Sequence, residues 1–146
     1  MKKTTIIERE KIELKNSILI EGLPGLGIVG RIAIEYLTKG LKAKKLAELY
    51  SPHFAYYVLV TEEGSARLLC SKFYYWKDED EKNDLILLTG DSQPQTIEGQ
   101  YEVAGSILDF AKKKKVNLII TIGGYRKEVK GVPEILASST NPELLN

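Results

Sequence analysis

The stretch Ser17-Ile-Leu-Ile-Glu-Gly-Leu-Pro-Gly-Leu-Gly-Ile-Val-Gly30 decides the fold class of this chain. Its apolar start predicts a short strand over Ser17–Glu21, which the turn residues from Gly22 to Gly27 then end. The apolar positions that follow recur at helical spacing and predict a helix from about Leu26 to Lys39, with Gly40 as a natural stop. A strand that leads through a glycine-rich turn into a helix is the opening of an α/β fold.

Two helices are expected to cover a sheet. The buried face predicted for the first comprises Val29, Ala33 and Leu37, flanked by Ile28, Ile32 and Tyr36. Thr96 is the predicted N-cap of the second helix, whose apolar stripe at helical spacing comprises Ile97, Tyr101, Ala104, Leu108 and Ala111. Lys112–Lys115 suit the negative end of the helix dipole and therefore predict a helix end, not a nucleic-acid patch.

Several apolar segments predict further strands. Lys45–Tyr50, Asp84–Thr89 and Val116–Ile122 are three of them, and the last two are continuous apolar runs, typical of strands covered on both faces. Ala55–Val60 and Ala66–Trp76 predict a β-hairpin, because β-branched and aromatic residues fill both arms around a polar turn.

The order of these elements predicts a single α/β domain over residues 1–146. Its sheet is expected to be mixed and mostly parallel, with helices on both faces. Residues 1–16 alternate charged and apolar side chains and predict an edge strand or a covering arm, and the charged segment Lys77–Lys82 predicts a solvated turn.

Composition limits the classes of function. The formal net charge of +1 gives no bulk attraction to nucleic acid or to acidic membranes. No apolar run has the length of a membrane span or follows the N-terminus as a secretion signal would. The single cysteine, Cys70, lies in an apolar run and predicts a buried thiol in a reducing, cytoplasmic setting. Heavy use of Lys, Glu and Ile, with little Met and Cys, is typical of thermophilic proteins.

The segment Gly25-Leu-Gly27-Ile-Val-Gly30 fits the dinucleotide fingerprint G-x-G-x-x-G, and Glu48 lies where a ribose-binding acid would be expected. Three features argue against this interpretation. Glu21 would place a carboxylate beside pyrophosphate, Leu23-Pro24 separates the strand from the first glycine of the motif, and the chain is short for a second nucleotide-binding half. The alternative is that these glycines make a sharp turn and allow close helix packing.

Two further loops follow buried strands, Gly90–Pro94 and Gly123–Tyr125. If the three strands are parallel, all three loops meet at the edge where open α/β folds bind ligands, and Asp91 and Ser92 could hold a small anion or a polar peptide. The alternative is an ordinary turn in which these side chains bond their own backbone. The candidate residues at this glycine-loop edge, structural or ligand-binding, are Gly22, Pro24, Gly25, Gly27, Gly30, Asp91, Ser92, Pro94, Gly123 and Gly124.

The arrangements that catalysis or metal binding require are not found in the sequence. His53 is the only histidine and Cys70 the only cysteine, so no structural zinc site is expected. Ser92 does not lie in a nucleophile elbow, no lysine follows the glycine loop as in a P-loop, and the paired acids at Asp78–Glu81 lie in the charged turn. We therefore predict neither a catalytic residue nor a cofactor.

Three ordered motifs resemble the proteasome-assembly-chaperone family in its archaeal form. They are Glu21–Gly30, then Thr89–Pro94 with Gly99–Glu102 and Ile107–Ala111, and finally Ile119–Gly124 with Ala137–Pro142 continuing in register. The resemblance implies a three-layer fold similar to nucleoside phosphorylases and related hydrolases, without their catalytic residues. It also implies binding to proteasome α-subunits and self-association, with the candidate glycines, Asp91 and Pro94 as framework positions.

The sequence departs from the family in two respects. Relatives continue beyond the position that matches Asn146, so the C-terminal part of the family fold is expected to be absent. Some archaeal relatives end in a hydrophobic-Tyr-any tail that docks into the proteasome α-ring, whereas this sequence ends Leu144-Leu-Asn146. Docking by that route is therefore not expected.

Aromatic residues crowd the predicted hairpin, and strands alternate their faces, so some must point away from the core. Exposed aromatics are typical interface anchors, and the alternative is that they pack under a helix. The candidates for a partner interface are Tyr56, Tyr57, Tyr74, Tyr75 and Trp76.

The sequence thus favours a non-catalytic assembly factor that self-associates and binds other proteins. Two alternatives remain. One is an enzyme or binding protein for a nucleotide, nucleoside or phosphate at the glycine-loop edge. The other is a shortened relative that kept the fold and lost the family's partner.

Overall fold

The computed structural model of the chain describes residues 2–80, 82–128 and 131–145. Its strands are β1 Thr5–Glu8, β2 Ile18–Glu21, β3 Lys44–Tyr50, β4 Val58–Val60, β5 Ala66–Leu68, β6 Ser71–Trp76, β7 Leu85–Gly90 and β8 Leu118–Thr121. The helices are α1 Val29–Gly40 and α2 Ile97–Lys113, and the 3-10 turns are Leu26–Ile28 and Pro142–Leu145. Glu81 of the predicted charged turn and the terminal Asn146 lie outside the described residues.

Six strands form one sheet in the order β1-β3-β6-β7-β2-β8. β2 lies between β7 and β8 and is parallel to both, whereas β1, β3, β6 and β7 pair antiparallel in succession. The prediction of a mixed α/β sheet is confirmed. Since the parallel part is limited to three strands, it is a smaller share of the sheet than expected.

The two helices cover opposite faces of the sheet, as predicted. The core cluster around α2 contains Ile86 and Leu88 of β7, and neighbouring strand residues point to opposite faces. Leu87 is equally buried but faces the other side, where α1 contacts β7 and contributes the fully buried Ile34. β7 is therefore covered on both faces, which explains its continuous apolar sequence.

The predicted hairpin is wrong in its second arm. Within the described part of the chain β4 pairs only with the short β5, in a separate two-stranded sheet, and β6 belongs to the main sheet between β3 and β7. The backbone between Leu68 and Ser71 leaves one sheet and enters the other, and Leu69 and Cys70 in this passage are buried. Tyr74, Tyr75 and Trp76 are thus main-sheet residues.

The buried face of α2 differs from the predicted stripe. Ala111 of the predicted stripe is buried against the sheet, but the other buried apolar side chains are Val103 and Phe110, which lie outside that stripe. The predicted core positions Ile97, Tyr101, Ala104 and Leu108 are exposed instead, at 75%, 79% and 47% for the three large side chains. α2 has two apolar stripes and the sheet covers only one of them, so periodicity alone could not choose between them.

α1 shows the same shift. Gly30 and Ile34 are its buried residues, whereas Ala33 and Leu37 are only half-buried. The exposed apolar residues of this region are Leu26, Ile28, Val29, Ile32 and Tyr36. Gly40 is the last helical residue, and the left-handed backbone that follows falls on Lys42.

The N-terminal segment lies along the far edge of the sheet as β1, paired with β3. Its charged residues reach neighbouring elements: Arg9 donates to Glu48 of β3 at 2.6 Å, and Glu8 binds Lys113 and Lys114 at the end of α2. A network of ion pairs therefore fastens this edge of the sheet to its neighbours.

Candidate functional site

The carboxyl ends of β2, β7 and β8 bring the three glycine loops together at one edge, as the sequence predicted. The Gln93 side chain donates to the Pro24 carbonyl at 2.6 Å and so joins the second loop to the first. The backbone of Ile122 donates to the Glu21 carbonyl at 2.8 Å, which joins the third loop to the end of β2.

Several glycines at this edge allow the backbone to approach closely. A Cβ atom on Gly22 would overlap the carbonyl group of Gly30, and one on Gly30 would overlap the carbonyl oxygen of Ile122. A Cβ atom on Gly124 would likewise overlap the carbonyl oxygen of Leu26. These glycines therefore allow the start of α1 to pack against β2 and the end of β8. Protein backbone occupies the space beside them.

The turn itself uses left-handed backbone. Gly27 has φ +63°, which glycine adopts without steric cost, and Ile28 follows with φ +49°. A β-branched residue in this region is an outlier held in place by its surroundings. Gly25 makes ordinary contact with the Gln93 side chain.

The position of Glu48 does not fit dinucleotide binding. Glu48 lies on β3, and β6 and β7 separate that strand from β2 and its glycine loop. Its carboxylate accepts hydrogen bonds from Arg9 and from Lys45, the latter at 3.0 Å. Burial raises the pKa of Glu48, but these two cations outweigh that effect and lower it. Glu48 therefore fastens β1 to β3 and is too far along the sheet for a ribose bound at the glycine loop.

Asp91 is engaged by the protein and does not present a free carboxylate. Arg67 donates to its two oxygens at 2.6 and 3.0 Å, and the Cys70 backbone donates at 3.1 Å. Burial raises the pKa of Asp91, but the hydrogen bonds from Arg67 and Cys70 and the charges of Lys72 and Arg67 together outweigh it and lower the pKa. The Asp91 side chain is 5% exposed. It therefore connects β5 to the end of β7.

The rest of this loop is also bonded within the protein. Ser92 donates to the Gln93 carbonyl at 2.9 Å, and the Pro94 carbonyl accepts from Gln100 of α2 at 3.0 Å. These contacts match the alternative of a self-bonded turn. Two of the openings among the described residues lie near this edge.

The first opening is a cavity of about 170 Å³ on the α1 face, and Arg31, Lys39, Lys72, Tyr74 and Asp91 are among its lining residues. The second is a groove of about 300 Å³ between α2 and the strands β2 and β8. Glu21 lines this groove, and burial raises its pKa. Ala104 and Leu108 of the exposed α2 stripe line it as well, opposite Ile119.

The aromatic candidates for a partner interface fall into two groups. Tyr56 is fully exposed and Tyr57 is 53% exposed, just before β4. Tyr74 and Trp76 are half-buried in β6, whereas Tyr75 is 5% exposed and donates to Glu10 at 3.0 Å. The expectation for Tyr75 was wrong, because β6 is a central strand and its Tyr75 side packs into the core.

The small sheet of β4 and β5 has an apolar outer face that the sequence analysis did not identify. Val58 and Val60 point outward at 49% and 70% exposure, and Leu68 opposite Val58 is 55% exposed. On the inner side Leu59 packs against the core and Arg67 reaches Asp91. The sequence shows that side chains alternate between the two sides of β4 and β5. It does not show which side faces the core, because that depends on the position of Asp91.

His53 is a structural residue in this arrangement. Its Nε2 atom lies 3.2 Å from Glu102 and its Nδ1 atom 3.2 Å from the Thr96 hydroxyl. Cys70 is buried, as predicted, and burial raises the pKa of its thiol. No cluster of three or more His, Cys, Asp and Glu side chains suited to a metal ion occurs in the part of the chain that the structure describes. No helix among those residues is long and apolar enough to cross a bilayer.

Comparison with known proteins assigns the chain to a family. The PAC2 family profile matches residues 19–146, and the chain belongs to the PAC2 family. A crystal structure of Pyrococcus furiosus PbaB, an archaeal proteasome activator, is 47% identical in sequence and superposes with a TM-score of 0.85 over 90% of this chain and 55% of that one.

Other relatives match the chain in structure or in sequence. Pyrococcus furiosus PbaA, an archaeal homologue of proteasome-assembly chaperone, is 27% identical with a TM-score of 0.59 over 86% of this chain and 52% of that one. The uncharacterized protein MJ1210 of Methanocaldococcus jannaschii is 37% identical over 77% of this chain and 42% of its own length. The chain thus spans about half the length of the relatives it matches. The resemblance to the archaeal proteasome-assembly-chaperone family is confirmed.

Proposed function

We propose that this chain is a non-catalytic assembly factor that binds other proteins, proteasome α-subunits among them, and self-associates. The observation that supports it most directly is the similarity to PbaB, an archaeal proteasome activator, at a TM-score of 0.85. A cytoplasmic location accompanies the proposal, since proteasome subunits are the intended partners and the single cysteine is a buried thiol.

The contacts and burial of the reactive side chains support a non-catalytic role. The Asp91 carboxylate is neutralised by Arg67, and both ring nitrogens of His53 lie beside hydrogen-bonding partners. The Cys70 thiol is buried and its pKa is raised, so it is a poor nucleophile. Each of these groups is used to hold elements of the fold together.

The outer face of β4 and β5, with the tyrosines before it, is the surface we propose for the partner protein. It combines the fully exposed Tyr56 with Val58, Val60 and Leu68. Contiguous exposed apolar side chains mark interaction sites, and tyrosine is a common energetic centre of such interfaces. Because Arg67 fastens this sheet to Asp91, the surface is presented in a fixed position.

The first test is light scattering coupled to size exclusion, on the chain alone and mixed with archaeal proteasome α-subunits. A complex with α-subunits is expected. The double substitution Tyr56→Ser and Tyr57→Ser should weaken it by more than about tenfold, the scale of an interface centre. Tyr125→Ser is the matched control, because Tyr125 is 78% exposed and lies outside the proposed surface. If the chain forms no complex with α-subunits at micromolar concentration, the proposal is refuted.

A small-ligand function is the second candidate, and the cavity of about 170 Å³ lined by Arg31, Lys39 and Lys72 is the observation that favours it. These cations would suit phosphate or a nucleotide, which would compete with Glu35 for Arg31 and with Asp91 for Lys72. A ligand at 100 times its dissociation constant stabilises a protein by about 2.7 kcal/mol. Thermal unfolding with phosphate, nucleosides and nucleotides therefore separates the two candidates, and the assembly factor is expected to show no stabilisation.

A further inference from the structure

The hairpin formed by β4 and β5 has an acidic tip. Its turn contains the exposed Glu62 and Glu63, and the only other charged side chain in residues 54–71 is Arg67. The Arg67 guanidinium is held by the two carboxylate oxygens of Asp91, at 2.6 and 3.0 Å. The two glutamates therefore determine the charge that the hairpin presents to a partner.

Both carboxylates at the tip can meet cations of another molecule. Among the described residues, neither Glu62 nor Glu63 forms an ion pair. A hydrogen bond from the Thr61 hydroxyl lowers the pKa of Glu63, so its carboxylate is ionised at neutral pH. Burying ionised carboxylates is costly unless cations accompany them. This end of the hairpin therefore faces either water or a basic surface.

The turn between the two strands is held by its own hydrogen bonds. The Thr61 backbone N–H donates to the Ser65 carbonyl at 2.8 Å, and the Gly64 N–H donates to the Thr61 carbonyl at 2.9 Å. Gly64 has φ +80°, a left-handed conformation that glycine adopts without steric cost. Together with the bonds from Arg67 to Asp91, these contacts fix the tip relative to the main sheet. A surface that is already ordered loses less conformational entropy on binding.

The apolar outer face of the hairpin lies directly beside the acidic tip. Val60 pairs with Ala66 next to the turn, and Val58 pairs with Leu68 two residues further from it. All four residues are exposed. Protein interfaces commonly combine an apolar centre with a polar rim. The hairpin provides both parts, and the charges on its rim are of one sign.

We propose that the hairpin of β4 and β5 docks into an apolar groove of a partner protein whose rim carries lysine or arginine side chains. The apolar outer face fills the groove, and Glu62 and Glu63 meet the cations of the rim. The proposal rests on the partner surface assigned in the proposed function and specifies the chemistry of the protein that fits it. Nucleic acid and anionic lipid surfaces are themselves negative, so the same two charges disfavour them.

The two parts of this surface are expected to act on different rate constants. Charges at the rim of an interface steer the encounter, so their removal changes the association rate and its dependence on salt. Truncation of the apolar centre instead raises the dissociation rate. The screening length falls from about 30 Å at ~0.01 M salt to about 8 Å at ~0.15 M, so the steering should fade over that range.

Stopped-flow mixing of the chain with archaeal proteasome α-subunits, over this range of salt, tests the proposal. Glu62→Gln together with Glu63→Gln should slow association by more than about threefold at low salt and leave dissociation within about twofold. Glu79→Gln together with Asp80→Asn is the matched control, because it removes two exposed acids from another turn and should not slow association. Circular dichroism confirms that each variant is folded.

Reversing the charges at the tip tests the sign of the partner's rim. Glu62→Lys together with Glu63→Lys should slow association more than the glutamine pair does, because repulsion replaces attraction. If the lysine pair associates as fast as the unmodified chain, or if the control slows association as much as the glutamine pair, the basic rim is overturned and the proposed function stands. If no complex with α-subunits forms, the proposed function fails and this proposal fails with it.

Discussion

The Arg67 guanidinium and the Asp91 carboxylate form a two-point ion pair, with N–O distances of 2.6 and 3.0 Å. Arg67 lies on β5 and Asp91 directly follows β7, so the pair connects the small sheet to the main one. Asp91 is 5% exposed and Arg67 is 36% exposed. If the ion pair is lost, water can solvate the Arg67 guanidinium but not the buried Asp91 carboxylate. Leaving Asp91 unpaired therefore costs more free energy than leaving Arg67 unpaired.

Asp91→Ala should lower the free energy of unfolding by about 1–3 kcal/mol, since it leaves donors of Arg67 and Cys70 unpaired. Arg67→Ala should cost more, about 3 kcal/mol or above, because it leaves a buried carboxylate without its main partner. Denaturant unfolding measures both. If the double variant is as unstable as the sum of the two, Arg67 and Asp91 do not stabilise each other.

Gly30→Ala should destabilise the fold by about 1–3 kcal/mol or more, because the added methyl group overlaps the backbone of Ile122. Gly40→Ala is the control. Among the described residues, no atom beyond its chain neighbours and its own helix backbone lies within 4 Å of a Cβ at Gly40, and alanine at a helical position gains about 0.5–1 kcal/mol over glycine. Thermal unfolding of both variants checks the sign of each change. Equal effects would show that close approach does not explain Gly30.

Glu102→Gln should remove part of the acid sensitivity of the protein. Hydrogen bonds from Thr4 chiefly, and from His53, lower the pKa of Glu102 from its ordinary value of 4.5 to about 2. A carboxyl with a lowered pKa adds stability above its unfolded value and loses it as pH falls through its folded value. The difference in Tm between the unmodified chain and Glu102→Gln should therefore shrink between about pH 4.5 and 2. A difference that is constant across this range would contradict the assignment.

Thr96→Ala should lower the stability of α2 by about 1 kcal/mol, since the Thr96 hydroxyl accepts from the Gly99 backbone at 3.0 Å. Thr96→Ser retains the oxygen and should restore most of the loss. Hydrogen exchange at the first turn of α2 measures the local effect. Equal exchange rates in both variants would mean that the cap is not needed.

The sequence predicted the parallel unit of the fold well, because β2, β7 and the capped start of α2 each have a strong local signal. It failed where the choice depended on distant residues. Whether Ile97 or Val103 faces the core depends on where the sheet lies beneath α2, and both stripes have helical spacing. The fate of β6 depended on its pairing with β3 and β7, which no local pattern encodes.

The candidate edge was predicted in position but not in chemistry. That three loops meet there follows from parallel strands, and the turn interpretation of Ser92 is consistent with its bond to Gln93. That the Asp91 carboxylate is neutralised required knowing that Arg67, on another sheet, reaches it. The apolar outer faces were not predicted, because a sequence cannot tell which of two apolar sides is left uncovered.

The place of β2 in the sheet also determines when the chain can fold during its synthesis. Ile18 pairs with Leu85 on one side and with Leu118 on the other. β2 is therefore translated well before β7 and β8, the two strands with which it pairs. Pairing over such separations is slow to form. While the ribosome is still producing α2, β2 has no neighbour on the β8 side, and its apolar residues are open to the wrong strand. The nascent chain is therefore expected to need protection until β8 has left the exit tunnel.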